Sequence, residues 1–167
     1  MSSVRSPGHE DETQVTAAQR RLTNAVRESM RDLRVQLAVL NHRVGARVEL
    51  KDGDLDCLDV LARHGPMSPS ALARRVGVHP ATMTGVLDRL EKGRWVARDR
   101  APTDRRAVVI RPLRDRAGEI FRLYAGMNDR LDKICGGYSE EQLSVVADFL
   151  RRAVEAGQHA TDDLAAD

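Results

Sequence analysis

The sequence predicts a mostly α-helical fold with one small β-hairpin. Long segments towards both ends of the chain repeat apolar residues at spacings of three, four and seven, which is the period of an α-helix. Near the middle, two short β-prone runs, Trp95–Ala97 and Ala107–Ile110, flank a polar segment that contains a Pro-Thr-Asp turn. This pattern predicts a bundle of helices from which a single hairpin projects.

The N-terminal part of the chain predicts a tail followed by one long helix. Residues 1–12 are polar, contain Pro and Gly and lack periodicity, so a disordered tail is expected. Residues 13–48 are predicted to form a single helix, because apolar residues recur from Val15 to Val44 at helical spacing. A helix of about 30 residues cannot bury its whole apolar face within a small domain. We therefore expect partner helices and a homodimer.

Two short helices are predicted next. Asp54 is suited to cap the first, which Gly65-Pro66 ends. Ser68 precedes a proline, and a hydroxyl N-cap followed by proline at the first helical position opens a helix, here through Arg75.

A third short helix and a hairpin complete residues 54–111. Gly77 makes a turn, and its small size is expected to let two helices pass closely. His79-Pro80 then opens a helix over residues 80–92, and the hairpin follows with its tip at residues 99–106. The order helix, helix, turn, helix, hairpin is that of a winged helix-turn-helix lobe.

Two further helices are predicted over residues 112–158, which complete the dimerisation region. The first covers residues 113–134 and stops at Gly136-Gly137. The second opens at Ser139, with Gln142 at the third helical position, and runs to about Ala156.

Charge is distributed unevenly along the chain. The formal net charge is only +2, yet basic residues concentrate in residues 74–116 while residues 139–167 lean acidic. This asymmetry predicts one surface that faces a polyanion. The two cysteines have no metal-ligand spacing and suit a reducing compartment, and no apolar leader or 18-residue apolar run occurs. We therefore expect a soluble cytoplasmic protein with no membrane partner, no metal and no cofactor.

Residues 54–111 resemble the multiple antibiotic resistance regulator (MarR) family. The resemblance rests on "SPSALARRVGVHPATMTGVLDRLEKGRWVARDRAPTDRRAVVI". Its Asp104-Arg105-Arg106 tip is similar to the D-x-R wing signature of that family, and the long flanking helices extend the likeness over nearly the whole chain. The resemblance implies a homodimeric regulator that binds double-stranded DNA. It also implies a small anionic aromatic effector between the dimer helices and the DNA-binding lobe.

Two positions depart from the family pattern. Arg94 stands where the family usually has the glycine that follows the recognition helix, and Gly93 lies one place earlier, so the helix is expected to be capped one residue sooner. Gly85 stands where relatives often carry arginine, which removes one contact to a base or phosphate.

The candidate DNA contacts lie in the helix-turn-helix and the wing. Thr82, Thr84 and Arg89 are expected to reach base edges in a major groove. Helix N-termini offer free N–H groups to phosphates, so contacts to the backbone are expected near Ser68, Ser70 and His79. Either Arg105 or Arg106 is expected to enter a minor groove while Asp104 orients it. Asp88 is interpreted as a surface residue or one that orients an arginine.

Other readings of the sequence remain open. His42, Arg43, Arg47 and His64 either line an effector pocket near the dimer junction or are ordinary solvated side chains. The winged helix could instead serve as a protein-interaction module, or Cys57 or Cys135 could sense redox state. An enzyme is not expected, because the sequence lacks a G-x-S-x-G elbow, a phosphate-cradling glycine loop and an H-E-x-x-H motif.

Overall fold

The computed structural model describes residues 16–100 and 107–166. Its chain divides into two units, Met1–Leu55 and Asp56–Asp167. Within the described residues there are six helices and two strands, in the order α1 Ala17–Val48, α2 Asp52–His64, α3 Pro69–Val76, α4 Pro80–Lys92, β1 Val96–Arg100, β2 Val108–Pro112, α5 Arg114–Cys135 and α6 Glu140–Ala166. The mostly helical fold with one hairpin is confirmed.

Helix α1 is a single helix of 32 residues, as the periodicity predicts. Thr16 caps its N-terminus by accepting a hydrogen bond from the Gln19 N–H (3.1 Å). Glu49 ends it in the left-handed conformation, and the Leu50 N–H then returns to the Gly45 carbonyl (2.9 Å). The apolar face of the helix is open to solvent within one chain; its exposed large residues include Leu22, Val26, Met30, Leu33 and Leu37.

Helix α2 begins at Asp52, three residues earlier than an N-cap at Asp54 implies. Asp54 is not the N-cap but lies inside the first turn, where its carboxylate accepts from the Lys51 N–H (3.0 Å). The Asp54 side chain, at the third position of α2, therefore accepts a hydrogen bond from the N–H of the residue that precedes the helix. Asp54 is only 1% exposed, and the helix N-terminus is the environment in which a buried carboxylate is tolerated.

The turn between α3 and α4 depends on a left-handed backbone. Ser68 caps α3 by accepting from the Ala71 N–H (3.2 Å), which confirms the predicted cap. Gly77 ends α3 at φ +69°, a conformation that favours glycine. A Cβ on Gly77 would meet no described atom within 4 Å, so close helix packing is the wrong reason for this glycine. Its backbone conformation is the physical reason.

The hairpin pairs antiparallel strands, with Val96 opposite Pro112 and Arg100 opposite Val108. Both strands begin one residue later than the predicted runs, and they end three residues later in β1 and two residues later in β2. Met67 adds a third, single-residue bridge, because it exchanges two backbone hydrogen bonds with Ile110 (2.8 and 3.2 Å). This bridge fixes the segment before α3 to the wing.

One hydrophobic core joins the elements of the second unit around α4. The four inward side chains of α4 are buried. They pack in a core with side chains from α2, from α3, from Trp95 and from the two strands of the hairpin. The buried apolar set of this unit comprises Cys57, Leu61, Leu72, Ala73, Met83, Val86, Leu87, Leu90, Trp95, Val96 and Ile110. This core holds α4 with one face exposed.

Helices α5 and α6 leave apolar side chains exposed. Gly136 ends α5 where the sequence predicts, and Ser139 and Gln142 form a reciprocal capping box at the start of α6 (2.9 and 3.3 Å). Helix α6 runs to Ala166 and not to Ala156, so the helix continues beyond the apolar stripe from which its end is predicted. All residues of α5 are described, and none of them is buried. None of the described helices is both apolar and long enough to cross a bilayer.

Candidate nucleic-acid interface

Helix α4 exposes a face of short side chains. Its buried positions are Met83, Val86, Leu87 and Leu90, which turn the opposite face outwards. That outer face carries the predicted contact residues Thr82, Thr84 and Arg89, together with Ala81 and Gly85, and all five are exposed. A helix with short outward side chains can bring its backbone close to base edges in a major groove. The exposed face therefore has the shape that the sequence predicts.

The start of α4 is capped by an imidazole. The His79 Nδ1 accepts from the Ala81 N–H at 3.3 Å, which requires that this nitrogen carry no proton. The Nε2 atom is then the nitrogen that can donate. His79 is exposed, so that donor is accessible to a phosphate oxygen. The Thr84 hydroxyl donates back to the Pro80 carbonyl (3.4 Å) in the same turn.

Ser68 and Ser70, which are predicted to lie near phosphates, also make hydrogen bonds at the start of α3. The Ser68 hydroxyl caps α3, is half-buried and lies 3.1 Å from the Ser70 hydroxyl. Ser70 and Thr84 line one groove of about 390 Å³ between α3, α4 and the wing, together with Arg98 of β1. The fold thus brings Ser70 and Thr84, from two helices, to one surface.

Asp88 orients an arginine, as one reading of the sequence predicts. The Arg98 Nη2 donates to the Asp88 Oδ1 at 2.5 Å, and the Arg98 Nε lies 3.5 Å from the Glu91 Oε2. Both acids are on α4, so Arg98 ties the first wing strand to that helix. The pairs are partly exposed, which limits each to about 1 kcal/mol of stability or less. The single positive charge of Arg98 also offsets part of the negative charge of these two carboxylates.

A second ion pair stabilises the other face of the hairpin. Arg111 Nε donates to Asp99 Oδ2 at 2.7 Å across the strands. The wing tip that carries Asp104, Arg105 and Arg106 lies outside the described residues. The assignment of these three side chains to a minor groove stays a prediction.

The base of the wing contains a left-handed arginine. Gly93 ends α4 at φ −76°, and Arg94 follows at φ +56°. The expectation that the helix is capped one residue sooner is confirmed, because Gly93 is the C-cap, although the left-handed residue is the following Arg94. Gly93 is needed for another reason. A Cβ there would lie 2.7 Å from the Trp95 Cδ1 atom.

One residue of this region was missed by the sequence analysis. The guanidinium of Arg116, in the first turn of α5, lies 3.8 Å from the centroid of the Trp95 ring. It also donates to the Gly93 carbonyl (2.8 Å) and to both oxygens of Glu119 (2.9 and 3.2 Å). These hydrogen bonds lower the pKa of the Glu119 carboxyl below its usual value. The separation of 21 positions between Trp95 and Arg116 gives no local sequence signal.

The residues proposed for effector binding are all exposed. His42, Arg43 and Arg47 lie near the end of α1, and the His42 Nδ1 is 3.6 Å from the Asp52 Oδ1. His64 is the last residue of α2. Their common pocket stays a prediction.

Cys57 is 1% exposed and fills the core, which favours the packing reading over redox sensing at that thiol. Cys135 is half-buried at the end of α5.

Comparisons with known proteins agree with this geometry. The family model described as MarR family matches residues 50–108. The chain is 35% identical over 127 residues to YcgE of Bacillus subtilis (strain 168), an uncharacterized HTH-type transcriptional regulator; the match covers 75% of this chain and 82% of the relative. At this identity and coverage the relationship extends well beyond the helix-turn-helix.

Solved structures share the fold. A MarR family protein from Bacillus stearothermophilus matches with a TM-score of 0.66 at 19% identity, over 83% of this chain and 97% of the other. Reduced AbfR bound to DNA matches with a TM-score of 0.52 at 18% identity, over 83% and 96% of the two chains. Its family and relatives make this chain a transcriptional regulator and not an enzyme. The protein belongs to the MarR family of helix-turn-helix, DNA-binding transcriptional regulators.

Proposed function

We propose that the protein is a repressor that binds a pseudo-palindromic operator as a homodimer, with α4 of each protomer in a major groove. The observation that carries this proposal is the outer face of α4, where short side chains surround Gly85 and Arg98 pairs with both carboxylates of the helix. Thr82, Thr84 and Arg89 read base edges, and Ser70 and His79 approach phosphates. A repressor of this kind acts by occupying DNA that the transcription machinery needs.

The wing supplies a second contact in this proposal. Arg105 or Arg106 inserts into the adjacent minor groove, where a narrow A·T segment has an enhanced negative potential. Asp104 pairs with a neighbouring arginine and orients it. The Arg98 ion pair joins the first strand of the hairpin to α4, and the Met67–Ile110 bridge joins the second strand to the segment before α3.

The wing is tested by changing its two arginines together. Each phosphate or groove contact that is lost flattens the dependence of log affinity on log salt by about one unit. Arg105→Ala with Arg106→Ala is expected to weaken operator binding and to lower that slope by one to two units, measured by fluorescence anisotropy between about 50 and 200 mM salt. Arg151→Ala on α6 is the matched control. An unchanged affinity and slope in the wing variant would reject the wing contact.

The proposed homodimer is supported by the apolar faces of α1, α5 and α6. Single-chain exposure reaches 68% for Leu22 and Phe121 and 70% for Val145, which is unusual for apolar side chains of a stable monomer. Pairing two copies through these helices covers such faces and spaces two α4 helices about one DNA turn apart. Sedimentation equilibrium is expected to give a mass of twice 18.5 kDa. A monomer at micromolar concentration would contradict the proposed dimer.

Release by an effector completes the proposal. A small anionic aromatic compound binds near His42, Arg43, Arg47 and His64, and shifts the dimer away from the DNA-bound arrangement in the cytoplasm. The exposure of all four side chains leaves them available to a ligand. Salicylate is a suitable first probe: it is expected to weaken operator binding of the unmodified protein, and less so of Arg43→Ala with Arg47→Ala. Equal weakening in both proteins would remove these residues from the effector site.

A further inference from the structure

Arg116 lies where helix α5 meets the end of α4 and the start of the wing. Its guanidinium is 3.8 Å from the ring centroid of Trp95, which is 3% exposed. A cation over an indole face at this distance is attracted by the ring quadrupole. The backbone N–H of Trp95 in turn donates to the Leu90 carbonyl of α4 (2.9 Å). One side chain of α5 therefore rests on the residue that joins α4 to β1.

The same guanidinium is held in one orientation by its hydrogen bonds. One nitrogen donates to the carbonyl of Gly93, the C-cap of α4, at 2.8 Å. Two others donate to the carboxylate of Glu119, three residues further along α5. The bidentate hydrogen bonds to Glu119 fix the plane of the guanidinium. The hydrogen bond to the Gly93 carbonyl orients the same group towards the end of α4.

The backbone at this junction tolerates few alternatives. Arg94 carries a left-handed φ of +56°, which costs a non-glycine residue roughly 1 kcal/mol. Gly93 cannot gain a side chain without moving the Trp95 indole, since a Cβ would also lie 2.9 Å from its Nε1. The Leu113 N–H donates to the Trp95 carbonyl at 2.8 Å, which ties the start of α5 to the same residue. A shift of α5 is thus passed to α4 through Trp95.

We propose that Arg116 is a positioning residue that couples α5 to the orientation of α4 and the wing, and so regulates DNA binding by the proposed interface. This inference rests on the proposed function of α4 as the helix that reads DNA. Arg98 joins the wing to α4, whereas Arg116 joins both of them to α5. A displacement of α5 reaches the DNA-facing surface through the stacked guanidinium and not through a contact with DNA.

The test uses the full-length protein and its single tryptophan. Because Trp95 is the only tryptophan, its emission spectrum reports directly on the stacked guanidinium. Arg116→Met keeps the aliphatic stem but removes the charge and the hydrogen bonds to Gly93 and Glu119, and Arg116→Lys keeps the charge. Arg151→Met is the matched control, since Arg151 pairs with Asp148 and Glu155 on α6 without an aromatic contact. Operator affinity is measured on a duplex selected by the unmodified protein, well below the melting temperature.

Arg116→Met is expected to shift the Trp95 emission and to weaken operator binding by about 2-fold to 30-fold, as for residues that couple two elements. Arg116→Lys is expected to restore part of both signals, and it keeps the test available if Arg116→Met does not fold. Arg151→Met is expected to leave emission and affinity unchanged. Affinity for unrelated DNA is expected to stay within about 2-fold in all variants, because Arg116 does not contact phosphates.

Two results would overturn the proposal in different ways. If Arg116→Met shifts the emission while operator affinity stays at the unmodified value, the contact is only structural and the coupling is wrong. If the unmodified protein selects no operator, the proposed function fails and the coupling fails with it. The second failure is recognised before any variant is made.

Discussion

Gly85 provides a test in which stability and DNA binding are expected to change in opposite directions. This glycine lies in the middle of α4, on the exposed face. An added Cβ would meet only the Arg89 Nη1 atom, at an ordinary contact distance of 3.8 Å. The fold itself therefore does not require a glycine here. We propose that a close approach of the helix backbone to DNA does.

The magnitude of the stability change follows from helix propensity. Glycine is about 0.8–1 kcal/mol less favourable than alanine in a helix interior. Because the Cβ has room, Gly85→Ala is expected to recover most of that amount and to raise the melting temperature by about 2–4 °C. Gly157→Ala in α6, where a Cβ meets no described atom within 4 Å, is expected to raise it similarly.

The DNA measurement separates the two glycines. Gly85→Ala is expected to weaken operator binding by about 5-fold to 150-fold, the equivalent of one disturbed base-pair contact of about 1–3 kcal/mol. Gly157→Ala is expected to keep the affinity of the unmodified protein. Melting is followed by circular dichroism and binding by fluorescence anisotropy at one salt concentration. A Gly85→Ala protein that binds the operator normally would refute the close approach of α4, and a lower melting temperature would refute the structural argument.

Three further predictions concern the core and the α5 junction. Leu61→Ala, at a position with 0% exposure, is expected to cost about 2–5 kcal/mol, seen as a lower denaturant midpoint; a loss below 1 kcal/mol would contradict its core position. Cys57 is expected to react with a thiol reagent only after unfolding, so rapid labelling of the native protein at Cys57 would show that the core opens. The lowered pKa of Glu119 stabilises the folded state above the ordinary glutamate value near 4.3, and that contribution is lost as the pH falls through the folded pKa. The melting temperatures of the unmodified protein and Glu119→Gln should therefore converge in acid, and a constant difference would reject the ion pair.

Local signals account for the parts of the fold that the sequence predicts well. The caps at Ser68 and Ser139 and the stop at Gly136 act within a few residues of the chain, so their residue types are sufficient evidence. The hydrophobic period of α4 likewise predicts its exposed face. The α6 end at Ala166 is missed, because the helix continues beyond the apolar stripe on which the prediction depends.

Tertiary contacts account for what the sequence could not predict. Gly93 lies against the Trp95 indole with no room for a Cβ, and Arg94 adopts the left-handed conformation next to it. The Arg98 pairs depend on how the wing lies against α4, and the Arg116 stack joins residues far apart in the sequence. Asp54 is a short-range example. Its residue type suits both an N-cap and a position inside the first turn, and the sequence alone did not distinguish the two.

The central claim is that α4 and the wing read a specific DNA sequence as parts of a symmetric dimer. Selection of bound fragments from a random DNA pool by the purified protein tests it most directly. We predict recovery of one pseudo-palindromic motif whose half-sites lie about one helical turn apart. Recovery of fragments without a shared motif, at affinities that depend only on salt, would contradict the claim.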